Sequence, residues 1–396
     1  MSNLIKKLIL RFKIVSLYGL SQSIAPIGQL LISFIIIKYK SIELWGGYVE
    51  ILIWLNLLLL FLSFGSNDYL LKIVSKNPSK LYQLWFTNSI SRIILLIPCI
   101  IIIFNSPVFD EISWLSSVWL LFMFISQSYK VLILYHKDFK FSLITEILFN
   151  ALFLLLIILK IDQIDLKTIL TIAVLANIFK SIVYIYYYFK KMNDIKWAFN
   201  FTSLRSSIPF FIPVALGTFR VKIDIYFANS FFNSTDLGKY QILISFLSIG
   251  HLTTTYFVNP FLKVFFRLNG KIIKKIRTQF FVFGLFYGLL FIFLIYLMIS
   301  KVYLIQFSFE NYMVAYAFLV PLFFQMLIVN QIYKYDQQFI VSYTALFVIV
   351  LQISIGYLLV KDQGIQGALL LKAGSQWLIT ILLWFWFRKI RMNNYM

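Results

Sequence analysis

Twelve stretches of this chain each hold about 20 mostly apolar residues, the length that a helix needs to cross a bilayer. They lie at about 15–37, 45–64, 81–104, 114–135, 141–159, 168–189, 207–230, 240–262, 278–300, 312–332, 339–360 and 367–387. Barrel strands would be about ten residues long with strict alternation, so these runs read as helices. Composition excludes a soluble protein: 61% of the residues are hydrophobic and 13% charged. A soluble chain needs about 25% charged residues and enough polar surface to cover its core.

The net charge of +21 would suggest nucleic acid in a soluble protein. Here the cations sort by side. With the N-terminus taken as cytoplasmic, the cytoplasmic loops carry 23 Lys and Arg and the external loops 7. That bias follows the positive-inside rule and predicts an even number of spans with both termini in the cytoplasm. The basic loops suit anionic membrane lipids, and no nucleic-acid partner is implied. The basic start and small-residue patch at Ser23–Ala25 resemble a signal peptide. The apolar run continues to Ile37, so a retained first span is expected.

The polar stretch "KKMNDIKWAFNFTSLRS" (190–206) divides the spans six and six. This predicts an all-α membrane protein of about 12 transmembrane helices. Two parallel six-helix halves, residues 1–200 and 201–396, would surround a central cavity. The chain has one cysteine and two histidines, no nucleotide-binding glycine motif and no long external loop. No disulfide framework, metal centre, cofactor or conventional catalytic site is expected.

Six basic residues remain inside the predicted spans: Arg92, Lys130, Lys180, Arg220, Lys222 and Lys372. Only Glu50, Glu146 and Asp224 balance them there. Charges at membrane depth usually face a bundle interior or a pathway, which makes them the candidate substrate-binding set. In "FRVKIDIYF" (219–227), Arg220 and Asp224 stand four apart and can pair along one helical face. Lys222 points about 200° away from Arg220, so that pair leaves it uncovered. Pro209, Pro213 and Gly217 precede them and would loosen this helix. Arg92 and Lys180 sit near mid-span, where a cavity or a buried acid partner is expected. Lys130 and Lys372 lie about five residues from a span end, and snorkelling to the interface is open to both. Glu50 and Glu146 are read as reaching interface water. In the first span Gln22, Pro26, Gln29 and Ser33 share one face, which fits either packing or a wet lining. His251 is read as a packing residue.

Two passages carry a family resemblance. "LFLSFGSNDYLLK" (60–72) and "RVKIDIYFANSFFNSTDLGKYQI" (220–242) resemble stretches of the polysaccharide flippases of the MOP superfamily, close to the O-antigen flippases of the Wzx type. The second passage departs from the family pattern where "QILIS" follows Tyr240 and a small residue is usual. The resemblance implies a transporter rather than an enzyme, in a bacterial inner membrane. It would move an undecaprenyl-diphosphate-linked oligosaccharide outward by alternating access, with polymerase and chain-length proteins as partners. With such a substrate, Arg92, Lys130, Lys180, Arg220, Lys222, Gln22 and Gln29 are the residues expected to bind it, and Asp224 and Asp68 those expected to serve coupling or charge balance. An H+ or Na+ gradient would supply the drive. Two other classes stay open: a membrane-embedded polymerase or acyltransferase, and a cation-coupled drug exporter, which should show acids in excess.

Overall fold

The computed structural model describes residues 2–192, 198–258, 270–335 and 337–393, and among these there are helices, turns and no strand. The helices are α1 (Ser2–Tyr39), α2 (Ile42–Ser63), α3 (Ser66–Lys76), α4 (Leu81–Ile93), α5 (Leu96–Asn105), α6 (Ser113–Ser128) and α7 (Lys130–His136). They continue with α8 (Phe139–Leu159), α9 (Leu166–Phe189), α10 (Phe201–Phe231), α11 (Ser234–Val258) and α12 (Gly270–Leu297). The last are α13 (Phe309–Leu319), α14 (Leu322–Lys334) and α15 (Gln338–Asn393).

Among the described residues, nine helical segments are long and apolar enough to cross a membrane. The longest of them, Phe339–Ile390, has a non-helical residue at Gly364 (φ 54°, ψ −131°). Gly364 divides α15 into two arms, each of a length to span. The surface is the reverse of a soluble one: Ile97, Leu155, Phe286 and Leu358 are among many large apolar side chains left exposed. Exposed oil with all backbone groups satisfied inside helices is what a hydrocarbon solvent requires. The chain is a multi-pass membrane protein.

Several helix starts follow from short polar side chains that accept an otherwise orphan N–H. Ser41 caps α2 through Leu44 N, Asp165 caps α9 through Thr168 N, and Ser308 caps α13 through Asn311 N. Asn233 accepts from Asp236 N at the start of α11. The break between α2 and α3 has a sharper cause. Phe64 and Gly65 both take left-handed backbone angles (φ 44° and 65°). A Cβ on Gly65 would lie 2.4 Å from the backbone nitrogen of Phe211 on α10. Only glycine meets both demands. α10 runs from Phe201 to Phe231 through Pro209 and Pro213, and each proline removes one backbone donor from the helix ladder.

The chain forms two compact units. Residues 20–215 make one, and residues from 216 onward, with those up to Gly19, make the other. In the first, α2, α6, α8 and α9 pack on one another. Trp45, Tyr48 and Trp119 stack at its centre, with ring centroids 5.3 and 5.7 Å apart. In the second, α11 to α15 pack around a core that includes Ile328, Ile332, Val348, Ile379 and Leu383.

Candidate functional site

Charge inside the second unit is organised by α10 and the second arm of α15. Asp224 is 1% exposed, a burial that a carboxylate tolerates only with partners. Lys372 supplies them: its Nζ donates to Asp224 Oδ1 at 3.1 Å, to Oδ2 at 3.0 Å and to the Val221 carbonyl at 3.0 Å. Tyr240 Oη donates to Asp224 Oδ2 at 2.5 Å. The ammonium thus spends three N–H groups on three oxygens, and its charge also lies 5.5 Å over the Phe318 ring. Asp224 and Tyr240 come from the two ends of the passage 220–242, and the fold brings them into contact.

This corrects two expectations. Asp224 pairs with Lys372, not with Arg220, and Lys372 turns into the core rather than snorkelling. Arg220 instead donates to Gln376 Oε1 at 3.4 Å, while Gln376 Nε2 donates to Gln325 Oε1. Gln352 Nε2 bonds the Arg220 carbonyl at 3.2 Å. The spacing explains the exchange. Arg220 and Asp224 are one turn apart on α10, and Gln376 and Lys372 one turn apart on α15, so two rungs form between the helices. Arg220 is half-buried with no carboxylate partner among the described residues. Lys222 is half-buried and has neither a hydrogen bond nor an ion pair among them. His251, on α11, lies within electrostatic range of Arg220 and Lys372. Of the three cations Arg220, Lys222 and Lys372, only Lys372 bonds Asp224.

The first unit holds a second pair. Lys180 on α9 meets Glu146 on α8 at 2.6 Å, and its ammonium sits 4.9 Å over the Phe149 ring. Tyr184 Oη donates to the same carboxylate oxygen at 3.5 Å. The acid partner sought for Lys180 is thus present, and Glu146 faces that lysine rather than interface water alone.

Arg92 is 3% exposed and has a different occupation. Its Nη1 donates to the carbonyls of Leu62 and Ser63 at 3.3 and 3.4 Å, and its Nη2 to Ser128 Oγ at 3.3 Å and Ser89 Oγ at 3.5 Å. Phe124 lies 5.1 Å beneath the guanidinium. Leu62 and Ser63 end α2, where the carbonyls have no helical donor. Arg92 therefore satisfies the end of a helix that Gly65 breaks, and favours the negative pole of that helix as well. Its full burial leaves no outward donor for a ligand in this conformation.

The remaining candidates form no ion pair among the described residues. Lys130 is exposed at the start of α7 and lies within electrostatic range of Asp68 and Glu146. Asp68 is exposed in the first turn of α3, where a negative charge complements the helix N-terminus. Gln22 and Gln29 are partly exposed on α1. Ser33, on the same face, is 1% exposed and bonds the Leu30 carbonyl within its own helix. Sequence reasoning missed Gln325, Gln352 and Gln376, and quoted Tyr240 only within the family-like passage. The signal of the three was a glutamine buried inside a span, where an apolar residue would be cheaper.

No protein-family model matches the chain, and no curated protein matches its sequence. Solved structures do match over nearly the whole length. The lipid II flippase MurJ, in an inward closed conformation, is 16% identical with a TM-score of 0.71, covering 96% of this chain and 90% of that one. An outward-facing multidrug resistance MATE family transporter of the MOP superfamily is 16% identical with a TM-score of 0.66, covering 99% and 97%. A MOP superfamily transporter from Pyrococcus furiosus, described by a binding pocket of reverse polarity, is 15% identical with a TM-score of 0.58, covering 98% and 96%. The fold is that of the MOP superfamily transporters. These likenesses span drug exporters and a lipid-linked flippase, so the fold leaves the substrate to be argued from the charges.

Proposed function

We propose that this chain is a flippase of the bacterial inner membrane with both termini cytoplasmic. Its substrate would be an undecaprenyl-diphosphate-linked oligosaccharide, moved outward by alternating access. It would act beside membrane lipids and the polymerase and chain-length proteins that consume its product. The observation that carries this reading is the surplus of cation in the second unit: Arg220 and Lys222 are half-buried with no carboxylate of their own. A diphosphate is the anion such a surplus suits, and guanidinium grips phosphate oxygens with two parallel donors. The resident Asp224 does not cancel them, because Lys372 and Tyr240 already fill its oxygens.

The drug-exporter reading is less favoured on the same ground. An organic cation needs an open carboxylate at depth. Asp224 and Glu146, two of the three acids within the predicted spans, are each closed by a lysine. The solved structures that share the fold are transporters, and that favours transport over catalysis.

The test is surface glycan display in cells that depend on this chain. Replacing both residues, Arg220→Ala with Lys222→Ala, is expected to lower display about tenfold or more, as the loss of one or two charge-assisted contacts implies. Protein level in the membrane should be unchanged. Full display by the double variant would overturn the assignment, as would export of a cationic dye that the same substitutions leave intact. Reporter fusions after Asn105 and Asn233 should report the outer side, and a reversal would break the assigned orientation.

A further inference from the structure

The environment of Lys372 Nζ is that of a bound cation. Three oxygens surround it at 3.0–3.1 Å: two from the Asp224 carboxylate and one from the Val221 carbonyl. One of the three, Asp224 Oδ2, is further fixed by Tyr240. Lys372 itself is 8% exposed, and its stem reaches the site from α15, 148 residues further along the chain. Backbone carbonyl plus carboxylate is an all-oxygen donor set, the kind that hard monovalent cations take as readily as an ammonium.

We propose that Lys372 is a tethered counter-cation, occupying a monovalent-cation site that a shorter side chain would open to Na+, K+ or methylammonium. The wild-type site is then closed to mobile ions. Any H+ or Na+ gradient that drives transport acts somewhere other than Asp224. The carboxylate in this arrangement never lacks a cation, and the site needs none from solution. The proposal concerns ion binding and stands whether or not the substrate is a lipid-linked glycan, since its readout involves no transport.

The experiment compares the purified full-length chain with Lys372→Ala, Lys372→Gln and Asp224→Asn/Lys372→Ala variants. Thermal unfolding is followed in NaCl, KCl, methylammonium chloride or choline chloride at equal ionic strength. Wild type should unfold at the same temperature in all four salts. Lys372→Ala should be stabilised by at least one of the three small cations relative to choline, by a few degrees and in a saturable way, as binding to the folded state alone requires. The double variant, with its carboxylate gone, should lose that response.

A saturable Na+ or K+ effect on wild type would overturn the proposal, and this arm does not depend on any variant folding. It would equally be overturned if Lys372→Ala or Lys372→Gln folded, gained stability on acidification and responded to none of the cations. That pattern would mean that a proton, not a metal or ammonium ion, fills the gap.

Discussion

Lys180 and Lys372 are both lysines at membrane depth, about 190 residues apart, and each finds one acid. The two pairs are built differently. Lys372 meets both oxygens of Asp224 and a carbonyl, and Tyr240 adds a fourth bond to the cluster. Lys180 meets one oxygen of Glu146, while Glu146 Oε2 is buried without a partner among the described residues. The Lys180 pair is also wetter, with side chains 17% and 14% exposed against 10% and 1% for Lys372 and Asp224. A fully satisfied buried pair is a fixed structural part, whereas a half-satisfied, partly wet one can change partners at lower cost. Of the two, the Lys180 pair is the one that costs less to open.

The largest effect should come from breaking the complete pair. Lys372→Ala strands a buried carboxylate and should cost about 3–5 kcal/mol in thermal unfolding measured in choline medium. Removing both charges together, Asp224→Asn with Lys372→Met, should recover most of that loss, since buried pairs are nearly neutral against apolar replacements. A double variant as unstable as Lys372→Ala would mean that packing, not the stranded charge, sets the cost. Next in size is Tyr240→Phe, which deletes one hydrogen bond to a charged oxygen and should cost about 1.5–3 kcal/mol. A smaller loss still is expected for Lys180→Ala, about 1 kcal/mol, because water can reach both partners. If Lys180→Ala proved as damaging as Lys372→Ala, the contrast between the two pairs would fail.

This contrast was only partly legible in the sequence. Span lengths and the positive-inside bias are properties of local runs, and they anticipated an all-helical membrane fold with charges held at depth. The break near Gly65 falls within the passage 60–72 that carries the family resemblance. Partner choice is not local. The i,i+4 rule favoured Arg220 with Asp224 because both lie on α10, yet the ammonium that wins comes from a segment 148 residues away. Lys372 was read from its distance to the span end alone, and Glu146 likewise. Arg92 shows the same limit in another form. Its mid-span position marked it as a ligand candidate, but the carbonyls that consume its donors become available only because α2 stops at Ser63. A residue pattern states which charges must be compensated, while tertiary geometry decides by what.

Lys222 is the control for both pairs, and its substitution should have the smallest effect on stability. It stands two residues from Asp224, half-buried, with no hydrogen bond or ion pair among the described residues. No carboxylate is stranded when it is removed, so Lys222→Met, which keeps the apolar stem, should shift stability by no more than about 0.5 kcal/mol. Removing it relieves its repulsion with Lys372 and gives up a smaller attraction to Asp224, so the sign should be neutral to stabilising. On the proposed flippase reading, Lys222 serves the substrate rather than the resting fold. The same Lys222→Met variant should therefore lower glycan display while unfolding at or above the wild-type temperature. A variant that lost stability and kept display would reverse that assignment and make Lys222 a third structural cation.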